Sequence, residues 1–196
     1  MKELTRRGFI FGTATLITSG LLVGVQRIGL SAFAGDSDSD DDAGPVKIAK
    51  FADDGTPLGT FTVPRVRKSR TEWKKQLTPL QYDVTRRAAT EYAFSGPLHD
   101  QHAPGLYRCI DCGNALFDSR AKFDSGTGWP SFWEPIAREN VREKKDFSLG
   151  VLRTEVKCAL CDAHLGHVFT DGPEPTGLRY CMNSAALRFV ARTGLR

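Results

Sequence analysis

The sequence predicts a mainly β domain, a compact set of short antiparallel strands preceded by two short helices and stapled by a four-cysteine metal site. Three observations carry this. After Gly96 the apolar residues fall in short runs separated by Gly, Asp, Asn and Pro, the texture of strands and turns. Nineteen glycines and ten prolines in 196 residues favour short elements over a helical bundle. Two Cys-x-x-Cys pairs, Cys109/Cys112 and Cys158/Cys161, are spaced as metal knuckles. The 40% apolar and 10% aromatic content supplies a packed core and excludes disorder over the whole length.

The chain divides into three parts. Residues 1–34 read as an export signal. Lys2, Arg6 and Arg7 precede an uncharged, moderately apolar run from Phe9 to Val25, and Ala32-Phe33-Ala34 suits a signal peptidase. Thr5-Arg6-Arg7-Gly8-Phe9-Ile10 resembles a twin-arginine signal, which predicts a periplasmic protein that meets a membrane only during export. An uncleaved anchor is the alternative, with a run of about 17 residues at the lower limit for spanning the hydrocarbon layer. Residues 35–68 read as a disordered or extended linker, acidic at Asp36–Asp42 and basic at Arg65–Arg70. Residues 69–196 form the domain.

Within the domain, Ser69-Arg70-Thr71-Glu72 and Thr78-Pro79-Leu80-Gln81 are capping boxes that each start a helix, the second with Pro at its first position. Leu80, Val84 and Arg87/Ala88 recur at helical spacing. Strands are expected at Leu106–Ile110, Ala115–Phe117, Leu149–Val156, His164–Phe169 and Leu178–Met182, and Asn183-Ser184-Ala185 caps one last short turn.

Two residues between sulfurs let one turn present both thiolates to one corner of a tetrahedron, and two such turns complete a four-cysteine shell at Zn–S distances of about 2.3 Å. Four thiolates leave no open position, so the zinc would be structural. Two disulfides are the alternative in an oxidising compartment, although a disulfide inside a Cys-x-x-Cys turn is strained. The fifth cysteine, Cys181, would by default be a small buried hydrophobe. In an extended strand, however, Arg179, Cys181 and Asn183 share one face, and a guanidinium beside a sulfur favours the thiolate. His164 and His167 could supply a proton near pH 7, with Asp171 orienting one of them. Trp129, in a Gly-rich loop, is either a core tryptophan closing a turn or an apolar wall for a small substituent.

Together these pieces resemble the type B methionine sulfoxide reductases, MsrB. The likeness runs from about Trp73 to Val190 through Thr90–Gly96, Gly105–Cys109, KFDSGTGWPSF (122–132), HLGHVFTDGP (164–173) and TGLRYCMNSAALRF (176–189). It implies two antiparallel sheets, a zinc remote from the active centre and specificity for the R epimer of methionine sulfoxide. It also implies roles. Cys181 is the nucleophile that becomes a sulfenic acid, and His167, with His164 nearby, protonates the sulfoxide oxygen. Trp129 holds the ε-methyl group, while Asp171, Arg179 and Asn183 fix the substrate and the histidines. Oxidised proteins and peptides are then the substrates, a thioredoxin-like or other external thiol the reductant, and the protein a monomer. Many relatives carry a resolving cysteine where this chain has Thr127, and here no internal thiol remains for that step.

Other classes fit less well. A zinc-ribbon nucleic-acid module would share the knuckles, but the leader holds +3 of the net +4 charge, leaving +1 over 162 residues. A redox enzyme working through its Cys-x-x-Cys pairs would be metal-free.

Overall fold

Ser69 and Thr78 start the two helices as their capping boxes require. In α1 (Arg70–Gln76) the Ser69 hydroxyl accepts from Glu72 N–H, and the Glu72 carboxylate reaches back to Ser69 N–H. In α2 (Pro79–Arg87) Thr78 and Gln81 exchange the same pair of bonds, and Ala88 ends the helix in the left-handed region. The buried stripe of α2 is Tyr82, Val84 and Thr85, with Leu80 exposed.

The structure, a computed structural model, describes residues 44–147 and 152–192. The export signal, the acidic stretch Asp36–Asp42 and Leu149–Val151 of the expected third strand lie outside the described residues. Among the described residues no helix is long and apolar enough to cross a membrane.

The chain is mainly β, as expected. Its strands are β1 (Val46–Phe51), β2 (Pro57–Val63), β3 (Gly105–Cys109), β4 (Ala115–Asp118), β5 (Lys122–Phe123), β6 (Ser131–Phe132), β7 (Val141–Asp146), β8 (Arg153–Cys158), β9 (His164–Phe169), β10 (Arg179–Met182) and β11 (Leu187–Ala191). They form a six-stranded sheet in the order β5-β6-β10-β9-β8-β7, a three-stranded sheet β11-β3-β4 and the pair β1-β2. Every pairing is antiparallel.

The resemblance implied two sheets, and the amino-terminal pair makes a third. Residues 46–63, read from the sequence as part of a linker, are an ordered hairpin docked on the domain. Ile48 and Ala49 are buried. The fully buried Asn140 accepts from Ala49 N–H at 2.8 Å and donates to Ala49 O at 2.8 Å and Ala115 O at 2.7 Å. A buried amide with all these bonds made is costly to unpair, so it holds the hairpin in one register.

The core between the sheets is aromatic. Phe117 stacks on Phe132 with ring centres 4.4 Å apart, and Tyr107 meets Phe132 edge-on at 4.8 Å. Tyr180 and Met182 point into this core from β10, so Arg179 and Cys181 face the other way. Close packing of β9 on β10 depends on Gly166, where a Cβ would lie 2.1 Å from Cys181 O.

Candidate active site and metal centre

The two knuckles repeat one backbone design. Gly113 N–H closes on Cys109 O at 2.9 Å and Asp162 N–H on Cys158 O at 3.0 Å. The residue after each second cysteine, Gly113 at φ 77° and Asp162 at φ 59°, takes the left-handed conformation that ends the turn. All four sulfurs lie within 4.8 Å of one another. The closest approaches cross between knuckles, Cys109 to Cys161 at 3.7 Å and Cys112 to Cys158 at 3.6 Å. A tetrahedral ion with bonds of about 2.3 Å to sulfur needs S···S edges of about 3.8 Å. The donor set therefore fits a four-coordinate structural metal, and all five cysteines are free of disulfides.

The surroundings suit a cluster of thiolates. Arg86 Nη2 donates to Cys161 Sγ at 3.4 Å, and Asn114 Nδ2 lies 3.7 Å from Cys158 Sγ. Arg86 also binds the buried Asp111 carboxylate and lies 4.1 Å over the Trp73 ring. Gln76 donates to Asp111 O at 2.6 Å. The helices thus clamp the first knuckle, while Arg65 and Val66 clamp the second through Ala159 O at 2.7 Å and Leu160 O at 2.9 Å. Arg65, read in sequence as part of the linker's basic stretch, has its side chain buried on a knuckle.

The second site is built on the row Ser131–Cys181–His167–Glu155, adjacent residues across β6, β10, β9 and β8. Thr90, Trp129, Arg153, Gly166, His167, Phe169, Cys181, Met182 and Asn183 line a cavity of about 160 Å3. A larger cleft of about 310 Å3, beside Asp118 and Trp133, contains no cysteine or histidine. Three residues of β8 at about 3.3 Å each and two strand steps of about 4.8 Å separate Cys158 from Cys181, so the metal centre is remote from this cavity.

The structure brings Cys181, His167, Trp129 and Asn183 to one cavity. Trp129 is half-buried, its indole N–H anchored on Glu91 O at 3.2 Å. Asn183 is buried, donates to Leu165 O at 3.1 Å and accepts from Glu91 N–H at 3.0 Å. The short turn at Ser184–Ala186 forms with Asn183 at its N-cap position, but the Asn183 side chain does not bond the turn's N–H groups. The buried Glu91 carboxylate does, accepting from Ser184 N–H at 2.5 Å and Ala185 N–H at 2.9 Å. One acidic residue thereby fixes both Trp129 and Asn183.

Asp171 does not orient a histidine. Its carboxylate forms a two-pronged pair with Arg179, at 2.9 and 2.8 Å, and that hydrogen bonding holds it below the usual carboxylate range. Arg179 also lies 4.4 Å over the Phe169 ring. The histidine partners are residues that sequence reasoning misses. His167 Nε2 meets Asp146 Oδ2 at 2.9 Å, and the same oxygen accepts from Arg153 at 2.7 Å. His164 is buried behind His167, its Nδ1 2.7 Å from Glu155 Oε1. An ionised carboxylate only accepts, so these two ring nitrogens carry protons. His164 Nε2 has no hydrogen-bond partner among the described residues.

Burial pushes the His167 imidazolium down, outweighing the hydrogen bond to Asp146 that supports it. Burial also pushes the Cys181 thiol up, against the Thr127 hydroxyl, the Arg179 charge and the Ser131 hydroxyl. Arg179 favours the Cys181 thiolate, as its place on the strand leads one to expect, but burial outweighs it.

Residues 77–191 match the SelR domain family. The chain belongs to that family. Among its curated relatives, the "Peptide methionine sulfoxide reductase MsrB" of Pseudomonas paraeruginosa is 55% identical over 130 residues, 66% of this chain and 98% of that protein. The protein of the same name from Bradyrhizobium diazoefficiens is 57% identical over 127 residues, 65% of this chain and 91% of its own. That from Hahella chejuensis is 54% identical over 130 residues, 66% and 94%. The SelR match contains both knuckles, the cavity and Cys181.

Proposed function

We propose that this chain is a peptide-methionine (R)-S-oxide reductase whose nucleophile is Cys181. The observation that carries the reading is the cavity itself, where a cysteine, a histidine and an indole converge in a SelR chain related to named MsrB enzymes. The Cys181 thiolate attacks the sulfoxide sulfur, and His167 delivers a proton from Nδ1, the nitrogen not engaged by Asp146, to the sulfoxide oxygen. The sulfoxide S–O bond breaks as the protonated oxygen passes to the Cys181 sulfur, the S–S bond made by the attack breaks with its electron pair kept by the departing thioether, and Cys181 becomes a sulfenic acid. The substrate sulfur gains two electrons and Cys181 loses two. One external thiol then forms a mixed disulfide with release of water, and a second thiol frees Cys181. The Trp129 face accommodates the substrate methyl group, and Arg179, fixed by Asp171, shares the β10 face of Cys181.

Zinc is the ion we assign to Cys109, Cys112, Cys158 and Cys161. Bound by four thiolates it has no free position, so it supplies rigidity and takes no part in the reaction. Separated R and S epimers of a methionine sulfoxide peptide, assayed with dithiothreitol, test the function. Turnover of the R epimer alone is expected, and turnover confined to the S epimer, or none of either, would overturn the reading.

The reacting form pairs a thiolate with an imidazolium, while burial favours the thiol and the neutral ring. The competent pair is then the minority form, and the rate follows a broad bell, with an acid limb set by His167 and an alkaline limb set by Cys181. Asp146→Asn removes a charge that holds the imidazolium. The acid limb should move to lower pH, and the plateau should fall about five- to tenfold, a pKa change of roughly one unit. A kcat profile identical to wild type would remove Asp146 from the proton path.

The reading includes export, supported by Arg6-Arg7 and the apolar run behind them. Arg6→Lys/Arg7→Lys should retain folded, active protein in the cytoplasm, as cell fractionation would detect. Delivery of the double variant to the periplasm would refute the twin-arginine route.

A further inference from the structure

Three hydroxyl groups beside Cys181 form a line that the mechanism above leaves unused. Thr127 Oγ1 is 3.9 Å from Cys181 Sγ, the outer reach of a hydrogen bond to sulfur. Ser125 Oγ lies 2.8 Å from Thr127 Oγ1 and 2.8 Å from Ser131 Oγ. Ser131 Oγ in turn reaches Trp129 O at 3.2 Å. Ser131 is fully buried and sits opposite Cys181 in the β6–β10 pair, so the line is anchored at both ends by strand register. Thr127 N–H adds a contact to Ser125 Oγ at 3.4 Å.

Each hydroxyl carries one proton and accepts at its lone pairs. While the sulfur is a thiol, it can donate to Thr127, with Thr127, Ser125 and Ser131 each donating onward to end on Trp129 O. A thiolate only accepts. Rotation of the Thr127 hydroxyl turns its proton onto the sulfur, Ser125 then donates to Thr127, and Ser131 donates to Ser125. Only the hydrogen atoms reorient. Such a line costs little reorganisation when charge develops, which is the property wanted beside a nucleophile.

We propose that Thr127, aligned by Ser125 and Ser131, is the hydrogen-bond donor that stabilises the Cys181 thiolate and then its sulfenate. This rests on Cys181 being the nucleophile of the proposed function. Position 127 thereby serves the sulfoxide-reducing half of the cycle. Arg179 and Ser131 also favour the thiolate, after Thr127 in size, and the remaining groups around the sulfur have partners of their own. Arg179 on β10 is paired with Asp171, His167 on β9 and Arg153 on β8 share Asp146, and Glu155 on β8 holds His164. Asn183 is bonded to Leu165 O and Glu91 N–H.

The test reads the thiolate directly and needs no sulfoxide turnover, so its failure is distinct from failure of the proposed function. The rate of iodoacetamide alkylation of Cys181 is followed against pH in the metal-loaded full chain, with peptide mass spectrometry isolating Cys181 from the knuckle cysteines. Thr127→Val keeps the shape and removes the donor. Its profile should move up by about one pH unit, slowing alkylation at neutral pH about tenfold, as expected for one lost bond to a charged group. Thr127→Ser should restore the wild-type profile within about twofold. Ser125→Ala, which leaves the threonine in place but unaligned, should fall between and provides the reading should the valine variant misfold. A valine profile at or below that of wild type, a serine profile displaced as far as valine, or an unmoved Ser125→Ala profile would overturn the proposal.

Discussion

Cys181→Ser is expected to lose sulfoxide reduction by on the order of 10^4-fold or more, because a serine hydroxyl is a far weaker nucleophile than a thiolate and has no sulfenic acid chemistry. The same variant should keep its metal and its unfolding transition, since Cys181 contributes nothing to the knuckles. Wild-type protein given one equivalent of sulfoxide peptide and no reductant should gain one oxygen at Cys181, trappable by dimedone, with no disulfide formed. Cys158 is separated from Cys181 by three residues of β8 and two strand steps, beyond the roughly 7 Å between Cα atoms that a disulfide allows. Thr127 lies within reach, its hydroxyl 3.9 Å from the Cys181 sulfur. Thr127→Cys should therefore convert the product from a sulfenic acid to an internal disulfide, a loss of two hydrogens from the pair. Mass spectrometry after a single turnover distinguishes the two. A disulfide between Cys181 and any knuckle cysteine in the wild type would refute the account of both sites.

The parts of this molecule legible from sequence are those whose cause is local. Knuckle spacing, two capping boxes and the strict alternation of Arg179-Tyr180-Cys181-Met182 each lie within a few residues, and each leads to the structure found. Where the determinant is register across a sheet, local reading fails. Asp171 is four residues from His167 in sequence, yet Asp146, across two strands, is the carboxylate that reaches it. Asp146 gives no local signal because β7, Val-Arg-Glu-Lys-Lys-Asp, has no apolar run. It is an edge strand, where charged side chains are favoured because they discourage pairing with another chain. The amino-terminal hairpin has a usable signal in Asp54-Gly55 between two alternating stretches. It is overshadowed by the acidic run before it and the basic run after it. Glu91 is visible only as part of a resemblance, because its work is to hold Trp129 and Asn183 from a loop far from either in sequence.

Cys158→Ser should lose its metal and its cooperative fold together. The four sulfurs join the first knuckle, carried between β3 and β4, to the second, carried between β8 and β9, so the ion ties the three-stranded sheet to the six-stranded one. A structural zinc in such a shell contributes on the order of 10 kcal/mol, comparable to the whole stability of a domain of this size. The loss also leaves the remaining buried thiols without their ion, and Arg86, which donates to Cys161 Sγ, beside a vacant shell. Wild-type protein should carry about one zinc per chain by elemental analysis, and Cys158→Ser close to none, with no cooperative thermal transition. Cys112 is the one ligand that is not fully buried, so Cys112→Ser should be milder, binding metal weakly enough for a chelator to strip it while wild type resists. Folded wild type with less than about half a zinc per chain would exclude the structural role. So would a Cys158→Ser variant that melts like wild type, since a shell that can lose a ligand without consequence is not holding the sheets together.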